Sequence, residues 1–302
     1  MSESHSVEVI DQFEVSPPPG SVTSTSLPLS FFDLPWLLCG PMQRLFFYEF
    51  PYSTLYFTQS ILPSLKNSLS LTLEQFFPFA SSLMCPPPPH KPYILFNNGD
   101  SVPFTVVEST LDFDQVIADQ AGDVRELHPF VPKLPPTRVT SDGTRVVPLL
   151  ALQVAVFPNS GICIGAQFCH VAADGMAFHH FMKSWGSIFR SRNDMACLEK
   201  SMLPSHDRAG IKDPLELESI FLKDWWSWAS YWDYDLGTTH DDQLTGKVRV
   251  TLSIGQPQIE KLKDLVSIQC MKRGVEVGLA LPKGQMDVFS GIFEQGLKQN
   301  QI

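Results

Sequence analysis

The chain has 302 residues, 43% of them hydrophobic, which suffices for one large or two ordinary domains with buried cores. With 32 acidic against 22 basic residues the formal charge is -10, so nothing favours a nucleic acid or an anionic membrane surface as partner. The first residues, MSESHSVEVIDQFEV, carry acids where a secretory leader needs a basic stretch, and no apolar run reaches the roughly 18 residues of a membrane span.

A soluble, cytoplasmic protein is therefore expected. Six cysteines (Cys39, Cys85, Cys163, Cys169, Cys197 and Cys270) are scattered without a CxxC pair, several in apolar runs where reduced thiols behave as small hydrophobes.

In chain order, VEVIDQFEV reads as a strand and EVSPPPGS as a Pro-rich connector. LPLSFFDLPWLLCGPMQRLFFYEF then runs apolar and aromatic toward a core strand. Helical spacing follows in TLYFTQSILPSLKNSLSLTLEQFFPFASSLM, with Pro63 and Pro78 predicting breaks into two or three short helices. CPPPPHKP (85–92) fits neither a helix nor an inner strand and is expected to be an exposed polyproline turn.

YILF and FTVVE flank the turn-forming NNGD and predict a β-hairpin. LALQVAVF and GICIGAQF around PNSG predict a second one, buried on both strands, that leads straight to His170. Beyond Gly175, apolar Met176, Phe178, Phe181, Met182, Trp185, Ile188 and Phe189 recur every three or four residues, predicting the buried face of a helix that ends near Arg190. From Ser191 to about Leu244 the chain is polar and Trp-rich without a steady period and reads as a long crossover. The remainder alternates strand 247–254, a helix, strand 274–282 and a final helix.

His170 is the candidate for chemistry. The spacing HxxxD to Asp174 occurs about half a time per chain by chance, so on spacing alone a hydrogen-bonded structural histidine is an equal reading. An imidazole at a strand end is firmly held and suited to taking a proton from a hydroxyl, and small Ala172, Ala173 and Gly175 leave room for a substrate. Asp174 either bonds the ring, supports the loop or caps the next helix. GxSxG, Walker-type GxxxxGK[ST] and HExxH are all absent from the sequence, which removes support for serine hydrolase, P-loop and zincin chemistry. His179 and His180 fit solvated or core positions better than metal ligation, so no metal is expected. The cluster Trp225, Trp226, Trp228, Tyr231 and Trp232 is better read as packing than as an aromatic substrate site.

The stretches LPLSFFDLPWL, LFFYEFPYSTLYFTQSILPSLKNSLSLTL, FPNSGICIG and HVAADG, with GVEVGLALPKGQMDVFSGIFEQGL near the end, resemble the BAHD family of plant acyl-CoA-dependent acyltransferases, in the branch acting on anthocyanins and other phenolic glucosides. The resemblance implies an α/β fold of the chloramphenicol acetyltransferase type with two domains and a channel between them. It implies His170 as general base and Asp174 as structural support of the site through an ion pair, with Gly175 permitting a tight turn. Acyl-CoA would be the co-substrate, no cofactor would be bound permanently, and a phenolic glycoside would be the acceptor. A monomer without nucleic-acid partners is expected.

The DFGWG motif of that family is absent, and QIEKLKDLVSIQCMKRGVEVGLAL passes almost directly from an early second-domain helix to the final strands. The expected organisation is an N-terminal acyltransferase domain at 1–190, a crossover at 191–244 and an incomplete C-terminal domain at 245–302. Two functions are open: an O-acyltransferase moving a malonyl or hydroxycinnamoyl-type group from acyl-CoA to a phenolic or flavonoid glucoside, or an impaired, truncated relative that binds a ligand or partner.

Overall fold

The computed structural model describes residues 6–118, 124–198, 203–208 and 210–231. The segment expected as a second domain at 245–302, with its strands, helices and Cys270, lies outside them, as do the place of the absent DFGWG motif and Trp232.

Among the described residues, two five-stranded sheets form the body. The first is built from β1 (Val7–Val15), β3 (Met42–Glu49), β6 (Val102–Ser109), β9 (Leu150–Phe157) and β10 (Gly161–Phe168), in the spatial order β1-β6-β9-β10-β3. Only β6 and β9 run parallel; the other neighbours are antiparallel. Every residue of β9 and β10 is buried, because both faces of the sheet are covered. Leu152, Val154, Val156, Ile162, Ile164 and Phe168 face one cluster, while Ala155, Phe157 and Cys163 face another, the alternation that a pleated strand imposes. Buried Gln153 and Gln167 do not break the pattern: Gln153 Nε2 donates to the Pro129 carbonyl at 2.8 Å and Gln167 Oε1 accepts from Leu134 N at 2.8 Å. At the expected hairpin turn Asn159 takes the left-handed conformation at φ 62°.

The first face is covered by α2 (Leu62–Gln75) and α4 (Gly175–Arg190). Their apolar stripes meet over Leu65, Leu69, Leu73, Phe178, Phe181 and Trp185, and the fully buried indole of Trp185 donates to Leu65 O at 3.1 Å and Ser68 Oγ at 3.0 Å. Met176, expected on that stripe, is instead 83% exposed; the rest of the first turn of α4 is exposed too, and the buried stripe begins at Phe178. The predicted break at Pro63 does not occur. A short α1 (Thr54–Tyr56) runs through a π-helical turn (Phe57–Ile61) into α2, where Pro63 lies in the first turn. The wider turn accommodates a residue that lacks an N–H and crowds the preceding carbonyls. Pro78 does end the helix, in a 3-10 turn (Phe77–Ala80).

The second sheet is fully antiparallel and orders β2 (Thr25–Pro28), β5 (Tyr93–Phe96), β4 (Ser82–Cys85), β8 (Arg145–Pro148) and β7 (Arg138–Val139). The predicted hairpin of YILF with FTVVE is therefore not formed. β5 stays in this sheet and β6 crosses to the other, joined by the turn at Asn97–Asp100, where Gly99 sits at φ 94° and the Asp100 carboxylate accepts from Asn97 N at 2.7 Å. A turn signal fixes that the chain bends, not which partner each strand takes.

Part of the supposed aperiodic crossover is the helix α5 (Leu217–Tyr231). Asp213 caps it from outside, its carboxylate accepting from Leu217 N and Glu218 N at 3.0 and 2.7 Å. Leu222 and Trp225, one turn apart, are buried with Leu27, Leu34, Leu37, Ile94 and Val147. The run of aromatics hid this stripe, because Trp226 beside Trp225 is also large and apolar, although its indole turns to the His90 carbonyl, at 3.4 Å. Packing is thus what Trp225 does. A short α3 (Phe113–Ile117) covers the other face of the first sheet, with Phe113 buried.

Candidate active site

His170 follows the end of β10, at the second position past the strand. The pairing is prolonged by Cys169 N donating to the Leu149 carbonyl at 3.0 Å, so the histidine leaves an inner strand of the sheet rather than a free loop. Two tight turns come next, Ala172 N to Cys169 O at 2.9 Å and Ala173 N to His170 O at 3.3 Å. Buried Val171 and Ala173 anchor them. The direction of the His170 side chain is thereby fixed by backbone bonds on both sides.

The imidazole lies flat on the indole of Trp36, with ring centroids 3.8 Å apart and planes 10° from parallel. Trp36 belongs to a 3-10 turn (Leu34–Leu38) whose Leu34 and Leu37 are sunk in the second core, while Trp36 itself stays 41% exposed. His170 Nδ1 is shielded from solvent and has no hydrogen-bond partner among the described residues. Such an atom costs about 1–3 kcal/mol in an ordinary core, and is retained where a site has a use for it.

Asp174 does not face this ring. Its backbone is extended (φ -81°, ψ -179°) and its carboxylate is the N-cap of α4, accepting from Ala177 N at 2.7 Å. Asp174 is exposed, and the contact it makes among the described residues is this cap rather than an ion pair. Gly175 is the first residue of α4 and does not adopt a positive φ; among the described residues a methyl group there would meet nothing within 4 Å. The expected tight turn is therefore not what calls for glycine. Open space in front of the helix is what this position offers.

His179 and His180 are half-buried on α4, and His180 sets its ring edge-on to Phe76 at 5.0 Å. Burial, and secondarily Lys183, holds His179 below the usual imidazole range. No group of three or more His, Cys, Asp or Glu among the described residues is arranged to hold a metal ion. Trp36 is the site residue that sequence reading missed. Its signal was the DLPW segment, in which Pro35 favours a short turn and the indole interrupts a run of leucines that go into the core.

A fold of two sheets with a histidine at the end of a central strand, followed by a helix, is the α/β chloramphenicol acetyltransferase type. The crystal structure of vinorine synthase shares it at a TM-score of 0.52 with 22% sequence identity, over 67% of this chain and 46% of that one. A model of the Transferase family matches residues 5–222, and the chain belongs to that family, the BAHD acyltransferases. It is 44% identical over 268 residues to coumaroyl-CoA:anthocyanidin 3-O-glucoside-6''-O-coumaroyltransferase 1 of Arabidopsis thaliana, covering 87% of this chain and 56% of the relative. Phenolic glucoside malonyltransferase 1 of Nicotiana tabacum is 36% identical over 263 residues, covering 85% of this chain and 56% of the relative. The chain thus spans about half the length of the curated relatives it matches. No helix among the described residues is long and apolar enough to cross a membrane.

Proposed function

We propose that this chain carries the general base of an acyl-CoA-dependent O-acyltransferase acting on a phenolic or flavonoid glucoside, with a malonyl or hydroxycinnamoyl-type donor. The observation that carries the reading is His170: backbone-fixed at a central strand end, stacked on Trp36, with a shielded nitrogen that no group among the described residues satisfies. The relatives' names support the substrate class.

His170 accepts the proton of a sugar hydroxyl as its oxygen attacks the thioester carbonyl. The tetrahedral oxyanion then collapses, the C–S bond breaks, and the CoA thiolate leaves, taking the proton from the His170 imidazolium and so restoring the base. Trp36 presents its π face to the ring that has become positive, a contact worth about 0.5–2 kcal/mol. Asp174 acts on this chemistry through the backbone, by starting α4 directly after the turn that holds the base.

Purified protein given acyl-CoA and a flavonoid glucoside is expected to release free CoA, and His170→Ala to lower the rate by about 10²–10⁴-fold, the usual worth of a positioned base. Equal rates in the two proteins overturn the assignment. The absence of DFGWG from the sequence favours the alternative of a ligand- or partner-binding remnant. A wild type that releases no CoA, and that aggregates or melts without response to acyl-CoA, is the outcome that supports that alternative; a cooperative melt whose midpoint rises with acyl-CoA counts against it.

A further inference from the structure

The stack on His170 is only as well placed as the turn that delivers Trp36, and that turn has a retaining contact from far along the chain. Asp33 immediately precedes the 3-10 turn, and its Oδ2 accepts from Ser30 N at 2.6 Å and from Ser30 Oγ at 2.7 Å. The same oxygen accepts from Arg208 Nη1, which also donates to the Pro28 carbonyl at 3.0 Å. Both partners of the ion pair are largely withdrawn from solvent, with side chains only 21% exposed. In that setting water screens the attraction little and competes weakly for the donors.

We propose that Arg208 is a positioning residue for the base: by clamping Asp33 and the end of β2 it fixes the turn that lays Trp36 on His170. This rests on the reading of His170 as general base. Leu34 and Leu37 pin the buried side of the turn in the second core, next to Leu222 and Trp225 of α5. Among the described residues no apolar core holds the opposite side, where Trp36 is exposed; there the orientation depends on Asp33 and hence on Arg208. The guanidinium fork suits the task, since it bonds a carboxylate and a carbonyl at once with little freedom to rotate.

The full chain with Arg208→Gln tests this, together with Asp33→Asn, which keeps an oxygen acceptor for Ser30 but removes the anion, and Arg208→Lys, which keeps the charge but not the fork. Two readouts are taken. The first is the proton resonance of the His170 ring, assigned by its loss in His170→Ala and moved upfield by the face of Trp36, as its return in the non-aromatic Trp36→Leu verifies. The second is kcat and KM for acyl transfer. Loss of the clamp is expected to return the His170 resonance toward its ordinary position and to lower kcat by roughly ten- to a hundredfold, the scale of an ångström-level misplacement. Lysine is expected to restore part of both. If Arg208→Gln does not fold, Asp33→Asn carries the same comparison. Variants that melt earlier but leave the His170 resonance and kcat unchanged overturn the proposal and make the pair merely structural. A shifted resonance in a protein whose wild type transfers no acyl group keeps the positioning role and overturns the enzymatic reading instead.

Discussion

Asp174 stands four residues from His170, yet its carboxylate is spent on the first turn of α4. Asparagine caps a helix about as well as aspartate, whereas alanine does not. Asp174→Ala is therefore expected to cost about 1 kcal/mol and lower the melting midpoint by a few degrees, with Asp174→Asn close to wild type. Equal destabilisation by both, in a thermal melt, would mean that charge rather than the cap matters here. The glycines divide similarly. A methyl group at Gly165 would come within 2.1 Å of the Phe130 carbonyl oxygen, a backbone atom that cannot swing aside, whereas Gly175 faces open space. Gly165→Ala is expected to cost at least about 1–3 kcal/mol. Gly175→Ala is expected to be neutral or slightly stabilising, because alanine loses less freedom in a helix. Denaturant titration of both variants checks the contrast. An activity loss in Gly175→Ala at full stability would assign the open space to a substrate. His170 was legible in the sequence, because a strand pattern before it and a helical pattern after it place a histidine at a junction. Trp36 was not, since 134 positions separate the stacked rings and no local pattern encodes a contact at that range.

At the scale of elements, the β9–β10 hairpin and α4 could be read directly, the hairpin from two apolar runs around a turn signal and the helix from its apolar period; β1 was read from its β-forming residues, although most of them are exposed. What failed were choices among partners. β5 and β6 look like the two arms of one hairpin, but each alternates as a half-buried strand does in either sheet, and only the tertiary structure sends them apart. α5 was hidden for another reason: an apolar stripe is recognised against a polar background, and successive indoles remove the background. The 3-10 turn carrying Trp36 is too short to show a period at all. The site therefore lies half on elements that sequence patterns reveal and half on a turn that they do not.

For the whole molecule, acid is a sensitive variable. His206 is held below the ordinary imidazole value, mainly by burial; its bond to the Gln75 carbonyl at 2.9 Å opposes this and Arg208 adds to it. His179 is lowered as well. In the unfolded chain both titrate near 6.5, so as the pH falls through that value the unfolded state takes up protons that the folded state refuses. Stability is then expected to be complete above about pH 6.5, to fall below it, and to level off once the folded histidines are also charged. Melting midpoints taken from about pH 7.5 to 5 should show the slope, and His206→Phe should reduce it. A slope unchanged in that variant would remove His206 as a cause.

The parting of β5 from β6 also decides how divisible this molecule is. The first sheet draws on residues 7–15, 42–49, 102–109 and 150–168, and the second on 25–28, 82–96 and 138–148, so the two are threaded through each other along the chain. Any cut between Pro28 and Arg138 divides the strands of both sheets at once. Such a body has no internal seam at which a shorter module could be released, exchanged or duplicated.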